Sequence, residues 1–236
     1  MNYVNGIDTS HWESDIDWTK VAQTQKFVFC KATEGLYYKD PDFKKDIQAF
    51  HDNGMLVAPY HFFRSGYDTL RQINFFLETI KDMPMDMPPV IDIEENKVVY
   101  GWANYQSAIK LALQTIEAAT GKRPIIYTNK YYWGFTGNPA WAKDYPLWVA
   151  NYGTMLQPTL PVGWDKWTFW QYSEAGRIDG VPYDGVDLNY FNGDYNDLLK
   201  FCGKEVTEPT EPPVVTQPDR LPQFLTELDA LITKWS

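Results

Sequence analysis

The sequence predicts an α/β protein whose strands close into an irregular β/α barrel, with eight strands and fewer than eight full helices. Up to about residue 201, short β-branched or aromatic runs alternate with amphipathic segments, as in parallel sheets joined by right-handed crossovers. Eight such runs occur, and eight strands are enough to close a barrel. After Thr128 the helical segments become fewer and less regular. An open doubly wound sheet is the alternative, but the glycine-rich turn of its nucleotide-binding members is missing.

The elements are predicted in chain order from turn residues and periodicity. Strands are predicted at Tyr3–Asp8, Phe27–Ala32, Leu56–Phe63, Pro89–Glu94, Pro124–Thr128, Leu147–Asn151, Thr168–Tyr172 and Val186–Tyr190. Helices are predicted at Asp17–Thr24, Pro41–Asn53, Thr69–Met83, Asn104–Thr120 and Asp194–Phe201. The fourth helix carries apolar residues at helical spacing, and Gly121 follows it where a C-terminal cap belongs.

The composition changes sharply after Gly203 and divides the chain into three predicted segments. Residues 1–203 form the barrel, and residues 204–219, rich in Pro, Thr and Glu, are typical of an extended linker. Residues 220–236 repeat apolar side chains at spacings of three and four, which predicts a short amphipathic helix. Such a helix is marginal alone, so it should dock on the barrel, self-associate with a second copy, or dock on a further domain. Docking on the barrel is the interpretation we favour.

Composition and charge exclude several classes of function. The 236-residue chain has a net charge of −10, which argues against nucleic-acid binding. No run approaches the ~20 apolar residues of a membrane span, and no secretory signal is visible, so we expect synthesis in a cytoplasm without membrane insertion. Cys30 and Cys202 make no disulfide framework or zinc site, and the histidines lack ligand spacing. We therefore expect no metal and no cofactor. An aromatic content of 17% mildly favours a carbohydrate ligand.

Asp92 and Glu94 are the most informative residues of the chain. They stand two apart in the apolar strand PPVIDIEEN, so their side chains face the same way while Ile91 and Ile93 face the other. Two ionised carboxylates about 6–7 Å apart repel by roughly 2–3 kcal/mol at an effective dielectric near 20. This repulsion raises one pKa and keeps that acid protonated near neutral pH. A proton donor beside a carboxylate is the equipment of a glycosidase.

Polar residues stand at the ends of nearly all the predicted strands, which form one rim in a parallel barrel. Acids recur on the first, fourth and eighth strands, and neighbouring first and eighth strands would bring Asp8 and Asp187 to the same mouth as Asp92 and Glu94. Taken singly, these acids fit helix caps or an ion-pair site, but their coincidence favours catalysis. The other strand ends supply predicted substrate-binding residues: Ser10, Lys31, Glu34, Tyr60, Tyr127, Trp148, Asn151 and Gln171.

Read in order, these motifs resemble glycoside hydrolase family 25, the muramidases of phage endolysins and autolysins. The resemblance spans Tyr3 to Phe201 and is carried by GIDTSHW with IDW, KATEG, YHFF, the DIE centre, IYT, LWVANY, WQYS and DLNYFNG. It implies a TIM-like β/α barrel whose helices and strands alternate less regularly than in a standard TIM barrel. It also implies hydrolysis of the β-1,4 bond between N-acetylmuramic acid and N-acetylglucosamine, with bacterial peptidoglycan glycan strands as the partner.

The resemblance also implies roles for the acids. Glu94 would be the general acid and base, and Asp92 would orient the substrate's N-acetyl group or stabilise the positive charge developing on it. Asp8 and Asp187 would support the site. The implied reaction retains configuration through the substrate's own acetamido group, a recognised exception to the two-carboxylate scheme. One position departs from the family pattern, because Glu13 stands where members often carry Gln.

The sequence also suggests three alternative functions. A binding barrel without turnover is expected to have lost a central acid, and a chitinase-like glycosidase would differ in its substrate. A cysteine peptidase would need Cys30 as its nucleophile, inside an apolar strand with nothing to lower its pKa. For the biological role we expect a phage or prophage endolysin, held in the host cytoplasm until a holin releases it to the cell wall.

Overall fold

The computed structural model describes residues 3–13, 15–96, 101–153, 156–182 and 184–206. Contacts divide the chain into two units, residues 1–204 and 205–236. The predicted C-terminal helix, and the predicted linker beyond residue 206, lie outside the described residues. The three-segment division therefore stays a prediction.

Nine strands and six α-helices occur within the described ranges. The strands are β1 Val4–Thr9, β2 Phe27–Glu34, β3 Tyr38–Lys39, β4 Leu56–Phe62, β5 Val90–Asp92, β6 Ile125–Thr128, β7 Leu147–Ala150, β8 Phe169–Gly176 and β9 Val186–Phe191. The helices are α1 Trp18–Thr24, α2 Phe43–Asp52, α3 Thr69–Ile80, α4 Trp102–Thr120, α5 Lys130–Gly134 and α6 Tyr195–Phe201, with a 3₁₀ helix at Ala140–Asp144. The sequence patterns did not predict β3, α5 and the 3₁₀ helix, which are all five residues or shorter.

Eight of these strands close a barrel, which confirms the predicted fold class. Their order is β1-β2-β4-β5-β6-β7-β8-β9, and β9 pairs back onto β1. The two-residue β3 adds to the end of β2. Within the described ranges, no helix combines the length and the apolarity that a bilayer crossing requires.

The last strand corrects the expectation of an all-parallel barrel, because β9 runs antiparallel to both β8 and β1. Parallel neighbours need a crossover of about a dozen residues or more, usually with a helix. Only residues 177–185 separate β8 from β9, which is too short for such a crossover. The barrel is therefore mixed, and the beginning of β9 lies beside the end of β1.

Side chains alternate across the strands into two apolar layers. Outward residues such as Ile7, Ile91 and Ile93 pack between the barrel and its helices. Inward residues fill the lower barrel with aromatic rings, and Phe29 stacks on Trp148 with ring centroids 4.1 Å apart. Phe169 meets Phe29 edge-on at 5.0 Å. This aromatic floor fills the inside, so polar inward residues are found only above it.

Candidate active site

The polar rim of the barrel follows from the same alternation that builds the floor. Val90 packs inside the barrel below Asp92, and Phe29, Ala58 and Ile125 lie one inward step below Lys31, Tyr60 and Tyr127. In each of these four strands a polar residue thus lies one inward step above an apolar one. It stands at the open end of the barrel, above the aromatic floor.

Asp92 ends β5, and Glu94 follows two residues later. The backbone between them is pinned, because the Ile93 N–H donates to the carbonyl of Tyr127 at 2.9 Å and the Thr128 hydroxyl donates to the Ile93 carbonyl at 2.7 Å. Ile93 itself is fully buried in the outer layer. The strand alternation therefore turns both carboxyl groups toward the barrel mouth, as the sequence predicted.

Burial perturbs both of these acids. It raises the pKa of Asp92 well above its ordinary value, and the charge of Glu94 raises that pKa further. Burial also raises the pKa of Glu94 to about 7, against the opposing influence of Lys31. Asp92 is 4% exposed, and its Oδ1 has no hydrogen-bond partner among the described residues. A buried acceptor without a donor is costly, so this oxygen is a natural place for a ligand's N–H.

Asp8 and Asp187 form a second carboxyl pair, opposite each other in the β1–β9 register. They hydrogen-bond to each other, so one of them must hold a proton. Burial, reinforced by the charge of Asp8, raises the pKa of Asp187 to about 9. Burial raises the pKa of Asp8 only to about 6, because Asn189 and Gln171 donate hydrogen bonds to it. Near neutral pH this pair therefore carries one negative charge, on Asp8.

Gln171 connects this pair to the aromatic side of the site. Its Nε2 donates to Oδ2 of Asp8 at 2.9 Å and to Oδ2 of Asp187 at 3.2 Å. Its Oε1 accepts from the hydroxyls of Tyr127 and Tyr152, each at 2.7 Å. Gln171 makes all four contacts although only 2% of the residue is exposed. The glutamine therefore fixes two acids and two tyrosines at once.

Trp148 reaches Asp8 through a second amide. The indole Nε1 donates to Oδ1 of Asn189 at 2.7 Å, and Nδ2 of Asn189 donates to Oδ2 of Asp8 at 2.7 Å. Trp148 thus belongs both to the aromatic floor and to the hydrogen-bond chain that stabilises the Asp8 carboxylate. Tyr60 lies among the same acids, since burial and the charges of Asp8 and Asp92 raise the pKa of its hydroxyl well above the ordinary value.

An ion-pair chain forms another wall of the mouth. Lys31 Nζ pairs with Oε2 of Glu34 at 3.0 Å, although the two residues stand three positions apart along β2. A register shift between Lys31 and Thr33 turns Glu34 to the same side as Lys31. Arg64 pairs with Glu34 and, at 3.0 Å, with Glu95. Burial alone would raise the pKa of Glu34, but the bonds from Arg64 and Lys31 outweigh it and lower the pKa.

Two predicted residues make local contacts beside the acid cluster. Ser10 donates its backbone N–H to Oε2 of Glu13 at 2.7 Å and its hydroxyl to the same oxygen at 3.2 Å, which closes a turn after β1. The carboxamide oxygen of Asn151 accepts from the Thr159 backbone at 2.6 Å and holds the loop after β7. Their predicted contact with substrate stays a prediction.

Four residues that surround the site were not among the predicted site residues: Asn189, Arg64, Glu95 and Tyr152. Asn189 was detectable, because it has the same strand parity as Asp187. Arg64 and Glu95 come just after YHFF and DIE, beyond the strand ends. Their pairing depends on loop geometry, which periodicity does not describe.

The open end of the barrel carries a groove made of several depressions. One of about 270 Å³ is lined by Glu94, Glu95, Arg64, Asn96 and Tyr132. It shares Arg64 and Glu95 with a depression of about 530 Å³. A third, of about 300 Å³, lies beside Asn151 and Tyr152. A cavity of about 870 Å³ lies at the opposite end near Phe191 and Phe201, away from the acids.

Cysteine chemistry finds no support in the geometry. Cys30 is buried, burial raises its thiol pKa well above the ordinary value, and the Thr9 hydroxyl donates to its Sγ at 3.7 Å. His61 is bound to Thr33 and Gln72, and burial lowers its pKa to about 4. In the ranges that the structure describes, no three His, Cys, Asp or Glu side chains are arranged to hold a metal ion.

The sequence matches the profile of Glycosyl hydrolases family 25 over residues 7–181. It is 36% identical to Lysozyme M1 of Streptomyces globisporus over 209 residues, covering 83% of this chain and 70% of the relative. It is 30% identical to N,O-diacetylmuramidase of Chalaropsis sp, covering 84% of this chain and 99% of that protein. The fold superposes on a bacterial lysozyme of Streptomyces coelicolor with a TM-score of 0.79, at 31% identity, covering 86% and 98% of the two chains.

Proposed function

The chain belongs to glycosyl hydrolases family 25 and is a muramidase that hydrolyses peptidoglycan, and we propose that it cleaves the β-1,4 bond between N-acetylmuramic acid and N-acetylglucosamine. One observation carries this finer assignment: the orphaned oxygen of Asp92 beside a carboxyl group, Glu94, whose pKa lies near 7. An acid poised near the working pH suits general acid catalysis, and an unpaired acceptor suits an acetamido N–H.

We propose that Glu94 begins the reaction as the acid. It gives its proton to the glycosidic oxygen as the bond from that oxygen to the anomeric carbon breaks. The acetamido oxygen of the same sugar bonds to the anomeric carbon. The acetamido N–H donates to the unpaired oxygen of Asp92, which favours the ionised form of that carboxyl group, and the carboxylate stabilises the positive charge that develops. Glu94, now a carboxylate, takes a proton from water as the water oxygen displaces the acetamido oxygen. The configuration is retained, and Glu94 ends protonated as it began.

The Asp8–Asp187 pair would act at longer range. It carries one negative charge near neutral pH, and the donors Gln171 and Asn189 hold that charge in place. A fixed anion in a mostly buried site stabilises a developing cation more strongly than the same charge would in water. We assign this pair an electrostatic role, with the proton transfer left to Glu94.

Glu94→Gln tests the assignment. General acid catalysis contributes about 10²- to 10⁴-fold, so wall hydrolysis should fall by that factor while binding to peptidoglycan is retained. Glu95→Gln is the matched control, because it makes the same chemical change one residue away and should cost less than about tenfold. Undiminished hydrolysis by Glu94→Gln would reject the proposal and would mean that another acid donates the proton.

Product analysis tests the bond itself. Mass spectrometry of digested, purified peptidoglycan should find N-acetylmuramic acid at the new reducing ends. Reducing-end N-acetylglucosamine would overturn the proposed bond. Hydrolysis of chitin oligomers at a comparable rate would favour the chitinase-like alternative.

We also propose that the protein serves as a phage or prophage endolysin, held in the host cytoplasm until a holin releases it to the cell wall. The predicted arrangement supports this role, since a wall-hydrolysing barrel is followed by a Pro/Thr/Glu-rich linker and an amphipathic segment. Induced expression in a bacterial host should cause lysis only with a co-expressed holin. Equal lysis in its absence would contradict the role.

A further inference from the structure

We propose that the depression between the β2–β3 turn and the loop after β4 is an outlying sugar subsite, where Tyr37 and Tyr67 carry an uncharged N-acetylated hexosamine of the same glycan strand. This inference rests on the proposed function. It adds a dependence on glycan length that the acid cluster alone does not require.

The depression continues the groove that holds Glu94. It measures about 530 Å³, and its lining includes Tyr37, Tyr38, Tyr67 and Gly35. Arg64 and Glu95 form its inner wall and also line the depression around Glu94. A glycan strand lying across Glu94 therefore has a continuous path to the two tyrosines.

The charged groups of this wall are already matched to one another. Arg64 donates to Glu34 through Nε at 3.0 Å and to Glu95 through Nη1 at 3.0 Å. The remaining Glu34 oxygen accepts from Lys31, and the remaining Glu95 oxygen accepts from the Ser65 backbone at 2.6 Å. A charged occupant, such as the carboxylates of a stem peptide, would have to break these pairs. An uncharged acetylated sugar would not.

The tyrosine rings supply the surface that such a sugar needs. Tyr37 is 76% exposed and Tyr67 is 49% exposed, and among the described residues neither hydroxyl has a hydrogen-bond partner. Flat rings with a polar edge suit the apolar faces and hydroxyls of a pyranose. Without a ligand to cover them, two large aromatic rings beside one depression leave apolar surface exposed to water, which is unfavourable.

Gly35 holds one of these rings in position. Its φ is +54°, and a Cβ at this position would lie 2.8 Å from the Tyr67 ring. The ring therefore packs directly against the glycine backbone, where any side chain would displace it. A ring fixed before binding loses less entropy when a sugar stacks on it.

The test measures chain-length preference with peptide-free glycan. For each protein, kcat/KM is measured on an alternating tetrasaccharide and an octasaccharide, and the ratio of octasaccharide to tetrasaccharide is compared. Partial misfolding lowers both values equally, so the ratio reports the subsite alone. The wild-type ratio should be well above one. Tyr37→Ala and Tyr67→Ala should each lower it by about 5- to 10-fold, the loss of one stacking contact.

Two variants serve as controls. Tyr67→Phe keeps the ring and should retain most of the ratio. Tyr195→Ala removes an equally bulky exposed tyrosine from α6, at the opposite end of the barrel, and should keep the wild-type ratio. Unchanged ratios in both Tyr37→Ala and Tyr67→Ala would overturn the subsite. A loss seen only on glycan that carries stem peptides would assign the depression to the peptide and would equally overturn it.

A binding measurement separates this inference from the proposed function. In a Glu94→Gln background, calorimetry with the octasaccharide should detect weaker binding after Tyr67→Ala. That result would support the subsite even if product analysis moved the cleaved bond. Equal octasaccharide affinity with and without Tyr67→Ala would overturn the subsite while leaving the proposed function intact.

Discussion

Replacing Gln171 by Leu should weaken folding and move the acid limb of the pH–rate profile to higher pH. Gln171 donates to Asp8 and Asp187 and accepts from two tyrosine hydroxyls, all within 3.2 Å. Leu has nearly the same volume, so the change removes hydrogen bonds without opening a large cavity.

The magnitude follows from the partners left behind. A hydrogen bond to a charged group contributes about 1.5–3 kcal/mol and a neutral one about 0.5–1.5 kcal/mol, so losing the contacts with ionised Asp8 and protonated Asp187 should lower the free energy of unfolding by about 2–4.5 kcal/mol. Burial already raises the pKa of Asp8 to about 6, and the Gln171 bond opposes that rise. Removing the bond should raise the pKa of Asp8 by about one unit, since 1.36 kcal/mol corresponds to one unit. Asp8 then loses its charge at a higher pH.

Urea unfolding and a pH series of initial rates on soluble glycan measure the two effects. Gln72→Leu is the matched control, because Gln72 is fully buried and bonds to His61 and to the Arg64 backbone. It should lower the stability comparably and leave the acid limb at its wild-type position. If Gln171→Leu lost stability like the control but kept the wild-type acid limb, Asp8 would not be the group that sets it.

Three further outcomes are expected. Because burial raises the pKa of Asp187 to about 9, the folded chain keeps a proton that the unfolded chain releases above about pH 4, and stability falls as pH rises. Asp187→Asn should therefore gain stability relative to wild type as pH rises from 4 to 8, by at most about 1.4 kcal/mol per pH unit, and a pH-independent difference in urea unfolding would contradict this. Cys30→Ala should keep full wall hydrolysis at a cost of about 1–2 kcal/mol in stability, and loss of lysis in a folded variant would revive thiol chemistry. Gly35→Ala should lower the free energy of unfolding by about 1–2 kcal/mol, because position 35 has a positive φ and the added Cβ would clash with Tyr67. An unchanged urea midpoint would refute this strain.

The period-two pattern predicted most of the barrel correctly, because strand alternation is a local property. It was enough to turn Asp92 and Glu94 inward and to leave Ile91 and Ile93 in the outer layer. The same reasoning brought Lys31, Tyr60, Tyr127 and Gln171 to one rim. Each of these residues lies one inward step above an apolar residue of the barrel interior, so one rule covers them all.

Asp187 was predicted at the rim by an argument that does not hold for its strand. The expectation was that β9 ends there, whereas β9 begins there and runs antiparallel. Because β1 and β9 are neighbours, Asp187 was expected beside Asp8 whichever way β9 runs. Strand direction depends on the short β8–β9 link, a property of connection length that residue patterns within the strands do not carry.

The proton shared between Asp8 and Asp187 could not be predicted from sequence. Which acid keeps the proton depends on the amides of Gln171 and Asn189, and both amides bond to the same oxygen of Asp8. The wall of Arg64, Glu34 and Glu95 likewise depends on loops and on a register shift in β2. These features arise where tertiary contacts, and not periodicity, set the side-chain directions.

The stacked rings of Phe29, Trp148 and Phe169 plug the cylinder from below. A glycan strand therefore cannot pass through the barrel and must lie across its open end. Binding in that position requires no free chain end, so we expect the protein to cleave internal linkages of long strands as readily as terminal ones.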